Sequence, residues 1–198
     1  MDSEINKIFE IGVMKTGTTS LGDALNILGY KTRGWDSETI EKYKESGRDG
    51  EVLYEVINQY DAFHDGPWHD YDFTKLDETF PNSKFILLDR DDDSWIRSLE
   101  MHTNKKYQTA KDIYQRDDTP SDAVDFWDRG WANPEKFKLE RIAWKTEKYN
   151  CIKSYFRSRP GDLLVMNISD GWSPLCSFLR KKVPVQKFPV SNITPDVQ

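Results

Sequence analysis

Cysteine is nearly absent from this 198-residue chain: only Cys151 and Cys176 occur. Two thiols outside any C-x-x-C pair build no disulfide scaffold, and they fit a reducing compartment. Histidine is scarce too, at three residues, which leaves little for a zinc centre, so no metal is expected. Long apolar runs are missing; none approaches the roughly 20 residues that cross a bilayer. The opening Met1-Asp2-Ser3-Glu4 has no basic stretch followed by an apolar one. No secretory leader is therefore expected, and the expected location is cytoplasmic. Positive charge is in deficit, with a net −6 at pH 7, which argues against broad nucleic-acid binding. A few cations focused in a cleft can still hold a small anion.

What is present reads as a globular protein: 37% of residues are hydrophobic and 31% charged, enough for one packed core. Residues 7–13, around the mostly apolar Ile8-Phe9-Glu10-Ile11, predict a first strand, and Leu21 to Leu28 an amphipathic helix ended by Gly29. Tyr30 to Arg33 reads as a short strand, and 38–46 and 51–59 as helices separated by Gly47 and Gly50. Tyr60 to His64 reads as a buried strand, and Phe73 to Phe80 as a helix stopped by Pro81. Lys84-Phe85-Ile86-Leu87-Leu88 is a short apolar run bounded by turn signals, the clearest strand of all. A helix over Asp91 to Met101 follows, with acidic residues in its first turn. Residues 102–133 read as short helices and loops, a lid or acceptor-side insertion. Pro134 opens a long helix to about Phe156. Asp162 to Met166 is a last strand, Gly171 to Leu179 a last helix, and 183–198 an irregular tail with three prolines. Alternating strands and helices predict an α/β fold: three layers, a mainly parallel sheet flanked by helices, in a single domain over 1–198.

The most specific segment joins the first strand to the first helix: Ile11-Gly12-Val13-Met14-Lys15-Thr16-Gly17-Thr18-Thr19-Ser20. A turn there aims backbone N–H groups at one point, and the helix N-terminus adds partial positive charge, so a phosphate or sulfate ester fits. Gly12 and Gly17 have the separation of the common nucleotide loop, G-x-x-x-x-G-K-[ST]. Thr18, however, follows Gly17, and the lysine comes two residues earlier, at Lys15.

Lys15-Thr16-Gly17-Thr18-Thr19 resembles the K-[ST]-G-[ST]-[ST] loop of the sulfotransferases, which use 3′-phosphoadenosine 5′-phosphosulfate (PAPS) and release the 3′,5′-bisphosphate, PAP. The resemblance implies a P-loop-like sulfotransferase fold. It also implies that this loop holds the 5′-phosphate, with Lys15 assisting departure of the bridging oxygen. In that family an arginine at a strand end and a serine eight residues later hold the 3′-phosphate; Arg90 and Ser98 have that spacing. A guanidinium fork suits a phosphate dianion. Cytosolic members place a histidine two residues before a proline to act as base, whereas here that position is Asp65, before Pro67. Aspartate at this place, and the closing stretch from Arg159 to Pro189, are similar to a divergent branch of small microbial sulfotransferase-like proteins. Ser20 stands where cytosolic members carry a stacking tryptophan and is counted with the cofactor loop; the adenine wall then falls to Trp172 or Trp35.

The implied activity is sulfuryl transfer from PAPS to a hydroxyl or amine of a small-molecule, lipid or glycan acceptor, without a metal. The base is Asp65 by register with Pro67, or His64 by chemistry, since an imidazole accepts protons near pH 6.5 and an aspartate only near about 3.9. Strand alternation should send His64 and Asp65 to opposite sides. His69 and His102 are expected at the surface. Two other readings stay open. One is a P-loop kinase or nucleotide hydrolase using Mg-ATP, with Asp89 where a magnesium-binding acid would stand. The other is a non-catalytic nucleotide-binding sensor or partner module.

Overall fold

The computed structural model describes residues 6–47, 50–113 and 134–191 of the chain. Five parallel strands form one sheet in the order β2-β3-β1-β4-β5, where β1 is Ile8–Glu10, β2 Thr32–Arg33, β3 Ala62–Phe63, β4 Lys84–Leu88 and β5 Leu163–Met166. Helices α1 (Thr18–Ile27), α2 (Ser37–Glu45), α3 (Tyr54–Ile57) and α4 (Phe73–Thr79) precede or follow the first strands. The remaining described helices are α5 (Asp92–Ile113), α6 (Pro134–Tyr155) and α7 (Trp172–Phe178). This is the expected α/β class with a parallel sheet.

Register explains why the sheet has two chemically different faces. Phe9 of β1 lies opposite Phe63 of β3 and Phe85 of β4, so three rings stack across three strands at centroid distances of 5.1 and 5.8 Å. Trp68 continues this aromatic layer beyond Phe63 and Phe156 beyond Phe85. One residue along, side chains point the other way. There Ile8, Ala62, Ile86, Leu88 and Met166 pack with Leu21, Ala24 and Leu25 of α1 and with Leu175 of α7.

Charged groups collect at the amino ends of the strands. Arg159 forks onto both oxygens of Asp77, and the Tyr155 hydroxyl donates to the same carboxylate at 2.8 Å. Burial alone would raise the Asp77 pKa; the bonds from Arg159 and Tyr155 outweigh it and hold the group below the usual range. Lys84, at the start of β4, donates to Asp162, just before β5, at 2.9 Å.

The chain groups into two compact units. One holds Met1–Arg90 and Ile152–Ile193, and the other is built on Asp91–Cys151. Several element bounds differ from the sequence reading. Helix α1 begins at Thr18, because Gly17 caps it with φ 108°. The helix expected over 51–59 is a 3-10 turn, Gly50–Leu53, followed by α3. Helix α5 continues to Ile113, through residues read as short helices and loops; the rest of that lid expectation, 114–133, lies outside the described residues. The C-terminal segment has no regular structure through residue 191, and 192–198 lie outside the described residues.

Phe85 is fully buried between the rings of Phe9 and Phe156. Phe85→Ala should cost about 3–5 kcal/mol of stability, read from the shift of a urea unfolding midpoint.

Candidate active site

In a parallel sheet the loops at the carboxyl ends of the strands meet on one edge, and ligands bind there. Three such loops matter here, those after β1, β3 and β4. The first runs from Ile11 into α1. Lys15 takes a left-handed backbone with φ 66°, and the buried Thr16 hydroxyl donates to the Val13 carbonyl at 2.8 Å. Gly17 is required by its positive φ and by crowding, since an added Cβ would lie 3.1 Å from Ile168.

The third loop reaches the first through a direct bond. The guanidinium of Arg90, two residues past β4, donates to the Lys15 carbonyl at 3.0 Å. The acidic run behind it is occupied elsewhere: Asp91 accepts from the Ser94 amide, Asp92 pairs with Lys145 at 2.8 Å, and Asp93 with Lys138 at 3.6 Å. Asp89 lies 3.6 Å from Lys153. No cluster of three or more His, Cys, Asp or Glu side chains fit to hold a metal ion occurs among the described residues.

The second loop turns sharply after β3. Asp65 has φ 67°, and the Gly66–Pro67 bond that follows is cis. Its half-buried carboxylate accepts from the Gly66 amide at 2.9 Å and from the Thr18 hydroxyl at 3.3 Å. Asp65, Thr18, Lys15 and Arg90 are thus brought together from three loops. His64 goes elsewhere. Its ring lies against α1 at Gly22 and against Gly34, where an added Cβ would fall 2.1 and 2.6 Å from it. Its Nδ1 is buried with no hydrogen-bond partner, and burial lowers its pKa against the opposing pull of Asp65 and Asp23. The two side chains nevertheless reach the same helix, at Thr18 and Gly22 one turn apart. Strand alternation ends at Asp65, whose left-handed backbone turns its carboxylate back toward α1.

Three expectations are corrected. Trp172 is no platform for a base: it is only 8% exposed, donates its indole N–H to the Gln186 carbonyl at 2.8 Å, and packs edge-on against Phe188. Ser20 is bound to the chain's own C-terminal segment, its hydroxyl accepting from the Ser191 amide at 2.9 Å. Thr18, Thr19 and Ser20 open α1, so their side chains diverge by about 100° per residue while their backbone N–H groups lie in the helix's first turn. His69 is buried rather than at the surface, because the 3-10 turn Trp68–Asp70 folds its Nδ1 to 3.8 Å from the Asp65 carboxylate. Trp35, the other adenine-wall candidate, is 65% exposed and flanks the Gly66 turn. Ser98 is buried on α5, in the unit built on Asp91–Cys151. His102 is half-buried.

Sequence reasoning missed two polar groups here, His69 and Glu10. The signal for His69 was its position four residues after Asp65 in a turn. For Glu10 it was a carboxylate ending an apolar strand; Glu10 is fully buried and accepts from the Gly12 amide at 2.8 Å.

A family model described as a sulfotransferase domain matches residues 7–197. The Ava biosynthesis cluster protein M of Aspergillus versicolor is 24% identical over 217 residues, covering 92% of this chain and 79% of that protein.

Burial of His64 has a consequence for folding. A histidine whose pKa is depressed in the folded state leaves stability intact above its unfolded pKa, about 6.5. Stability is then lost as pH falls from there through the folded value. His64→Gln should flatten the decline in unfolding midpoint between pH 7 and pH 5, measured against wild type in urea titrations.

Proposed function

Because the chain belongs to the sulfotransferase domain family, we propose that it transfers a sulfuryl group from PAPS to a hydroxyl or amine of an organic acceptor. The observation that carries this reading is the junction of three loops at the carboxyl edge, with Arg90 on the Lys15 carbonyl and Thr18 on the Asp65 carboxylate. The name of the Aspergillus relative assigns that protein to a biosynthesis cluster; the acceptor proposed here is a small molecule, a lipid or a glycan.

The reaction is an in-line displacement at sulfur, in which alignment and charge stabilisation do most of the work. The acceptor's lone pair forms the new bond to sulfur as the bond from sulfur to the bridging oxygen breaks. PAP leaves with that electron pair. Lys15 stabilises negative charge growing on the bridging oxygen. Thr16, Gly17, Thr18 and Thr19 hold the 5′-phosphate from the loop and the first turn of α1. Arg90 holds the 3′-phosphate. Asp65 takes the proton from the acceptor, and the Thr18 hydroxyl that reaches its carboxylate ties base and phosphate loop together. No step calls for a metal, since a sulfuryl group carries less charge than a terminal phosphoryl group.

Thermal shift with PAP, run beside ATP with magnesium, tests the donor. PAP at a hundred times its Kd should stabilise the fold by about 2.7 kcal/mol. Stabilisation by Mg-ATP with none by PAP would turn the reading to a kinase or hydrolase. PAP binding without turnover across an acceptor panel would turn it to a sensor. Lys15→Ala should lower kcat by about two to three powers of ten. Arg90→Ala should weaken PAP binding by about 2–5 kcal/mol, as for a buried charged contact. Asp65→Asn preserves shape and should abolish turnover while leaving PAP affinity nearly intact; calorimetry and a sulfuryl-transfer assay separate the two.

A further inference from the structure

We propose that Glu10 is the positioning residue of this site, its carboxylate fixing the spacing between the Lys15 loop and the Asp65 turn. This rests on the reading of Asp65 as the base.

Glu10 is the last residue of β1, the central strand, and it is fully buried. Its partner in register on β4 is Ile86, and Ile8 precedes it on the same face. A carboxyl group among such neighbours is costly unless hydrogen bonds satisfy it, and an apolar side chain of similar size would pack there at less cost. Stability of the sheet therefore does not account for it. Its two oxygens do. Oε1 accepts from the amide of Gly12, which opens the Lys15 loop, at 2.8 Å. Oε2 accepts from the amide of Asp65 at 3.4 Å. Asp65 is also the residue whose backbone is left-handed, a conformation that side chains disfavour and that needs outside support. One planar group, rooted in the central strand, thus grips a backbone amide in each turn.

Glutamine is the discriminating replacement. It keeps the shape but has one acceptor oxygen, and its NH2 repels an N–H donor. The short, local bond to Gly12 should survive and the longer one to Asp65 should go. For Glu10→Gln in the full chain we expect kcat to fall about tenfold, as for a reacting group displaced by a fraction of an ångström, with the Kd for PAP changed less than about threefold. Amide hydrogen exchange by NMR should accelerate about tenfold at Asp65 and stay unchanged at Gly12. Wild-type kcat in Glu10→Gln, an equal loss of kcat and PAP affinity, or unaltered exchange at Asp65 would each overturn the proposal. If the wild-type protein fails to turn over PAPS at all, the functional reading falls, while the exchange measurement still decides what Glu10 does.

Discussion

Lys15 and Asp65 hold φ values of 66° and 67°, in a region that costs a side-chain-bearing residue about 1–3 kcal/mol. The chemistry proposed for this edge depends on that conformation at both places. At Lys15 it is matched by the Arg90 guanidinium on the residue's own carbonyl. At Asp65 the Gly66 amide bonds the carboxylate, and the Glu10 carboxylate accepts the backbone N–H. Each turn is thus held by a polar side chain from another element. A site so fixed needs little rearrangement on binding, which is where positioned groups gain over free ones.

The same helix that begins at this edge is secured from the far end of the chain. Ser191 bonds to Ser20, and its hydroxyl also donates to Asp23, so the segment after α7 lies along the start of α1. Trp172 anchors that segment through Gln186 and Phe188. Trp172 and Ser20 therefore hold the helix that follows the Lys15 loop.

What was legible in the sequence followed from period and punctuation. The run Lys84 to Leu88 could only be a buried strand, Pro134 marked the start of a long helix, and Gly29 the left-handed end of the first helix. Lys15, Asp65 and Arg90 were named as candidates by a loop motif and two spacings, and the structure brings them to one edge. The failures share a physical cause. Trp172 and Ser20 were misjudged because their partners, Gln186 and Ser191, are distant in sequence and belong to a segment without periodic pattern. Asp65 broke the alternation rule because a single left-handed residue reverses the direction of a side chain. His69 was misplaced because burial in a turn depends on tertiary contacts that local polarity does not report. Ser98 could be named by spacing alone, as its relation to Arg90 spans two compact units.

The ion pairs at the amino ends of the strands, Arg159 with Asp77 and Lys84 with Asp162, lie at the opposite edge of the sheet from the reacting loops. Cohesion and reactivity are therefore drawn from separate margins of one scaffold. Substitutions in the loops can therefore alter what that edge binds without disturbing the ion pairs at the other. A lineage built on this frame is free to diversify its chemistry while its architecture stays put.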